Sequence, residues 1–170
     1  YRDTVPCYGN YWFMKTRMGS TSVGEYAESA ARAVENGFRA LKWSPFGYAA
    51  HAMTPEQEHV AVECVRQVRE AVGPDIRLRL DPNEAWDVLS ARRMINRLKV
   101  FNPEMIEQPC DHRSLSALKQ IKDSSPIPIA ADQSVFNADD VVNQIYKKNK
   151  FCNNKLKKVL PRYIKSFPTN

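Results

Sequence analysis

Three acids share one kind of position in the chain. Arg77-Leu78-Arg79-Leu80 alternates long-chain and bulky residues, a short strand by its period of two, and Asp81 follows at once. Pro82 and Asn83 then stop the strand, and a helical pattern begins. The same arrangement recurs in Phe101–Pro109, which carries Glu107, and in Ile127–Ser134, which carries Asp132. The separations of 26 and 25 residues are about one strand–helix unit each. An acid at the C-terminal end of a strand points into the mouth of a parallel α/β sheet or barrel, where such folds keep their chemistry. Three carboxylates brought together repel one another unless a cation sits among them. Asp81, Glu107 and Asp132 are therefore a candidate metal-binding set. The competing reading is three unrelated strand-end acids that cap helices or pair with arginine.

The elements that must position them alternate along the chain. Val5–Trp12 reads as a first, aromatic-rich strand. Val23–Asn36 reads as a helix with Tyr26, Ala30, Ala33 and Val34 on one face and Gly37 as its stop. Phe38–Ser44 is a second strand, on which Lys42 and Ser44 share a face and Trp43 takes the other. Thr54-Pro55-Glu56-Gln57 is a helix start with a capping box, opening a helix that runs to Gly73. After the strand that leads to Asp81, a helix from Asp87 to Lys99 has Leu89, Met94 and Leu98 as its expected inward residues. Leu115, Leu118 and Ile121 mark another helix, and Asn137 caps one that begins at Ala138.

About five βα units in strict alternation predict an α/β fold with a parallel sheet. Unit length and strand-end acids favour part of a (β/α)8 barrel of the TIM type. Eight units need roughly 250 residues, so in 170 residues the last strands are not expected. Two regions follow: residues 1–145, the partial barrel, and residues 146–170, an off-pattern basic tail read as disordered.

Of the chain's 25 Lys and Arg, eight lie beyond Tyr146, with no acid among them. The first 145 residues then hold 17 basic against 19 acidic side chains, so only the tail would attract anions. No nucleic-acid-binding motif accompanies it, and no nucleic-acid partner is expected. No apolar run approaches membrane-spanning length. Cys7, Cys64, Cys110 and Cys152 are scattered without metal-ligand spacing and read as free thiols, which points to a reducing, cytoplasmic setting.

Lys42, Asp81-x-Asn83, Glu107-Gln108-Pro109 and Ala131-Asp132-Gln133-Ser134, in that order on successive strands, resemble the mandelate racemase and muconate lactonizing enzyme family of the enolase superfamily. The likeness runs over residues 5–145. It implies that Asp81, Glu107 and Asp132 hold one Mg²⁺ (or Mn²⁺), an all-oxygen set suited to a hard cation. It implies a small carboxylate substrate whose α-proton is removed through a metal-stabilised enediolate. Asn83 and Gln133 would then orient the metal ligands. The family's α/β capping domain would precede Tyr1.

One departure bears on the reaction. The family commonly carries Lys-x-Lys on the second strand with the second lysine as base, and here the triplet is Lys42-Trp43-Ser44. The expected catalytic pair is thus Lys42, a charge facing the substrate carboxylate, and Ser44, which cannot replace a lysine. Dehydration of a sugar acid is the expectation that fits best. Racemisation, epimerisation or cycloisomerisation is the alternative within the family, and a catalytically inactive fragment is the alternative outside it. Asn10 and His51 are candidate substrate contacts, weighed against core packing for the first strand and a solvated loop for His51. His59 and His112 read as structural or exposed, and Arg79 as an inward partner of a nearby acid. Open sheet edges favour a homo-oligomer.

Overall fold

The computed structural model describes residues 3, 5–13, 22–47 and 52–141. Strands β1 (Ala40–Trp43), β2 (Arg77–Leu80), β3 (Met105–Glu107) and β4 (Ile129–Ala130) form one sheet in chain order, and each neighbouring pair is parallel. Helices α1 (Val23–Glu35), α2 (Pro55–Val72), α3 (Val88–Leu98) and α4 (Leu115–Ser124) alternate with them. Parallel strands placed side by side in sequence order, each joined to the next through a helix, are the winding of a (β/α) barrel wall.

Local chemistry explains the helix starts. Thr54 and Gln57 close a capping box at α2, with Pro55 at the first helical position. Ser22 and Glu25 close a second box at α1, so the Gly-Ser-Thr-Ser breaker is also a start signal. Asp87 accepts the Ser90 N–H at the start of α3. Gly73 ends α2 at φ +77°, a conformation that only glycine takes without strain. Beyond it, Arg69 donates to the carbonyls of Gly73, Ile76 and Phe101, tying the end of α2 to the chain on either side of β2.

The core lies between the sheet and the helices. Leu41, Trp43, Leu78, Leu80 and Ile106 alternate with Lys42, Arg79 and Glu107, and the apolar set is buried against the helical layer. Trp43 meets Trp12 edge-on at 5.5 Å, and burial pushes the Cys64 thiol of α2 up to about 12. On α3 the buried face is Ala91, Met94, Ile95 and Leu98. Leu89, expected inward, is instead 71% exposed. It lies five positions before Met94, which turns it well away from the 91-94-95-98 stripe at 100° per residue.

Val5–Trp12 does not form the expected strand. It touches the sheet through one parallel bridge, Gly9 with Leu41, in which Gly9 N donates to Ala40 O and Lys42 N donates to Gly9 O. Tyr11, the next residue that would bond to β1, turns at φ +55°, so the ladder does not extend beyond Gly9 in that direction. A side chain at position 9 would lie 3.3 Å from Leu41 and Phe38, which is why glycine allows this approach. Four strands, rather than five, are thus seen among the described residues. His51, Cys152 and the tail lie outside them, as does the boundary expected at residue 145. Among the described residues no helix is long and apolar enough to cross a membrane.

Candidate functional site

At the C-terminal end of the sheet, Lys42 reaches from β1 across β2 to β3. Its Nζ lies 2.9 Å from Asp81 Oδ2 and 2.5 Å from Glu107 Oε1. All three side chains are close to buried, at 12%, 9% and 11% exposure. The strand register explains the meeting: Lys42 sits beside Arg79 on β2, and the Asp81 N–H donates to Trp43 O at 3.0 Å. Asp81 is held further by its own turn, where Oδ1 accepts the Asn83 N–H at 2.9 Å and its carbonyl accepts Asn83 Nδ2. Asn83 and Glu84 both take left-handed backbone conformations there, at φ +51° and +65°. One rung below, Arg79 pairs with Glu104 at 2.7 Å and lies over the Tyr8 ring.

Asp132 follows β4 and stands apart from this triad. It is exposed, and its charge acts on Glu107 without a direct bond to Lys42 or Asp81. Ser44 Oγ and Gln133 Oε1 are buried with no hydrogen-bond partner among the described residues. Asn10 is exposed and its Oδ1 accepts the neighbouring Tyr11 N–H. Lys42, Asp81 and Glu107 are thus brought together, Asn83 is set against Asp81, and Asn10 turns to its own loop.

The electrostatics of the cluster follow from its count of charges. Burial alone pulls the Lys42 ammonium down, but its hydrogen bonds to Glu107 and Asp81 outweigh burial and hold it above the ordinary lysine value. Burial pushes Glu107 upward, the Lys42 bond offsets part of that, and the Asp81 and Asp132 charges add to it. Three carboxylates against one ammonium leave two negative charges, which a divalent cation would neutralise. The donors are all carboxylate oxygens, the chemistry that suits a hard cation such as Mg²⁺. The donor chemistry of the three acids therefore fits the metal, while in this arrangement Lys42 draws together only Asp81 and Glu107, and Asp132 stands farther off.

A second charged cluster lies on the adjoining loops and was not foreseen. Glu84, Asp111 and His112 are the one group of three ligand-type side chains within 4.8 Å of one another among the described residues. Their atoms already have protein partners. Glu84 Oε1 lies 2.6 Å from both His112 N and His112 Nδ1, and Asp111 is forked by Arg113. The His112 ring packs edge-on against Phe136, so the group pins three loops together. Residues 84 and 112 are 28 apart, and the turn at Asn83-Glu84, with the Glu84 and Trp86 N–H groups donating to Gln108 O and Pro109 O, joins their loops.

The chain is similar to known proteins over most of its described length. D-gluconate dehydratase of Thermoproteus tenax is 26% identical over 144 residues, covering 85% of this chain and 28% of that protein. Hydrophobic dipeptide epimerase of Enterococcus faecalis is 41% identical over 83 residues, covering 49% of this chain and 23% of that one. The chain spans about a third or less of the length of such relatives. A crystal structure of dipeptide epimerase from Enterococcus faecalis V583 superposes at TM-score 0.67 with 32% identity, over 78% of this chain and 36% of that one. The dipeptide epimerase of Cytophaga hutchinsonii, complexed with Mg and the dipeptide D-Ala-L-Val, superposes at TM-score 0.68 with 26% identity, over 85% of this chain and 35% of that one. Residues 25–156 match the family described as enolase C-terminal domain-like, and with the parallel βα sheet in hand, the chain belongs to that family.

Proposed function

We propose that this site takes a small carboxylate substrate and supports Mg²⁺-dependent removal of its α-proton, the proton passing to a base that is neither Lys42 nor Ser44 and lies outside the described residues. The observation that carries the reading is Lys42, bonded at 2.9 and 2.5 Å to carboxylates from two neighbouring strand ends. Asp81, Glu107 and Asp132 would hold the metal, with Mn²⁺ as a substitute. When bound, the metal would supply positive charge opposite the negative charge that develops on the substrate's carboxylate as the proton leaves. Bonded to Glu107 and Asp81, Lys42 is held above the ordinary lysine value, and its part is to place a positive charge beside the same carboxylate. Asn83 orients Asp81 through the backbone bond to Oδ1, and Gln133 stands next to Asp132 in the chain. Ser44 offers a hydroxyl at the position where a second lysine would act as base.

That hydroxyl favours dehydration of a sugar acid over a two-base epimerisation that uses this strand. The alignment with a gluconate dehydratase over 85% of the chain supports the same choice. The higher local identity to a dipeptide epimerase supports the rival reading, with a dipeptide as the carboxylate substrate.

Titrating the 170-residue chain with Mg²⁺ and with Mn²⁺ by calorimetry tests the metal. One site is expected, and Asp81→Asn or Glu107→Gln should abolish it. A chain that binds neither ion overturns the proposal. Proton NMR in D₂O with Mg²⁺, against sugar acids and dipeptides, reads α-proton exchange directly. Exchange in sugar acids with loss of water supports the dehydratase. Exchange in dipeptides with inversion supports the epimerase, and metal binding without exchange identifies the inactive reading.

A further inference from the structure

Gln108 follows Glu107, and its side chain has no solvent exposure. Its Oε1 accepts three hydrogen bonds from the loop after β4: Asp132 N at 3.0 Å, Ser134 N at 3.2 Å and Ser134 Oγ at 2.8 Å. Its Nε2 donates to Cys110 O at 2.9 Å, which fixes the amide's orientation. Its main chain is equally engaged. The N–H donates to Ala130 O, the carbonyl accepts the Glu84 N–H from the loop after β2, and the backbone turns at φ +32°. One residue thus bonds directly to all three loops that carry Asp81, Glu107 and Asp132.

We infer that Gln108 is the positioning residue that sets Asp132 relative to Glu107 and Asp81, so that an exposed strand-end acid reaches a fixed place at the mouth. The inference rests on the metal reading proposed above for the purpose of its effect on binding, while the positioning itself is a property of the hydrogen bonds. A buried amide with every polar atom paired holds one geometry, since any rotation leaves donors unmet in a site without water to replace them. Asp132 has no other bond that fixes its backbone from across the sheet among the described residues. Replacing the amide with an apolar side chain of similar length would free the Asp132 and Ser134 N–H groups together and leave Glu107 in place.

Two readouts test this on the whole chain. The first is amide hydrogen exchange in wild type, Gln108→Met and Gln108→Asn, the last keeping the amide but withdrawing its oxygen by one carbon. Protection at Asp132 and Ser134 is expected in wild type and lost in both variants, with Leu80 and Ile106 still protected. The second is Mn²⁺ titration, where affinity is expected to fall about 10–100-fold in both variants. Ile95→Val, which loosens α3 far from the site, should leave affinity unchanged and serves as the control for stability alone. Unchanged protection at both amides overturns the inference, as does wild-type affinity for Mn²⁺ in both Gln108 variants. If wild type itself binds no Mn²⁺, the metal reading fails, and the exchange data alone decide whether Gln108 positions Asp132.

Discussion

Lys42 is the residue on which the site's charge balance depends. It comes from β1, a four-residue strand whose other members, Ala40, Leu41 and Trp43, are apolar, yet its ammonium meets two carboxylates that are themselves close to buried. Removing one partner of a buried ion pair leaves uncompensated charge and typically costs about 3–5 kcal/mol. Lys42→Met should therefore melt well below wild type in the absence of metal. Adding Mg²⁺ should raise the variant's melting temperature more than it raises that of wild type, because a ligand that binds only the folded state stabilises it by mass action and no ammonium competes for the same oxygens. Thermal melts with and without Mg²⁺ check both statements. A variant that melts with wild type in metal-free buffer would show that the Lys42 bonds add nothing to the fold.

At the scale of elements, α3 separates two leucines that look alike in sequence. Leu98 is fully buried and Leu89 is 71% exposed. Leu98→Ala should cost about 2–5 kcal/mol through lost burial and the cavity left behind. Leu89→Ala should stay within about 0.5 kcal/mol, as surface substitutions usually do. Chemical denaturation of the two variants decides this, and equal losses would contradict the helix orientation. A second element-level prediction concerns Glu58 of α2, which accepts from Arg93 at 2.6 Å and Arg97 at 2.9 Å, both on α3. The Arg93 bond, set against burial and helped by Arg97, holds Glu58 below the ordinary glutamate value. A carboxylate depressed by folding contributes stability that is present above its unfolded pKa of about 4.3 and is lost as pH falls through the folded value. Wild type should thus lose stability more steeply than Glu58→Gln as pH drops through that window. At neutral pH the variant should be weaker by about 1–2 kcal/mol, a figure reduced by the solvent that reaches both arginines. Parallel melting curves of the two proteins would refute the pairing.

The whole molecule presents an unequal sheet. β1 is covered at one point by the Gly9 bridge, while β4, two residues long, pairs with β3 on one side and with no strand on the other among the described residues. A barrel wall closes by pairing its last strands, and an edge left open offers backbone groups to another chain. The 170-residue chain should therefore self-associate as its concentration rises, which sedimentation velocity would measure. It should also show little turnover, because Lys42 is held above the ordinary lysine value and Ser44 supplies no base, and a well-placed acid or base contributes about 10²–10⁴-fold. A monodisperse monomer with robust turnover would refute both expectations at once.

The sequence by itself determined the positions of the acids, the alternation that puts Lys42 opposite Trp43, and the helix starts at Thr54 and Asp87. Each depends on neighbours within a few residues, where period and capping chemistry act. The strand expected at Val5–Trp12 is reduced to one bridge, and aromatic content does not reveal the turn at Tyr11 that ends its ladder. Leu89 faces outward despite its hydrophobicity because its angle on the helix decides its side. Only the tertiary structure decided which charge meets which. Lys42 and Glu107 are 65 residues apart, and Gln108 and Ser134 are 26 apart. Parallel pairing of β1 through β4 brings those side chains within hydrogen-bond reach, and no local pattern in the chain encodes a contact made across two strands.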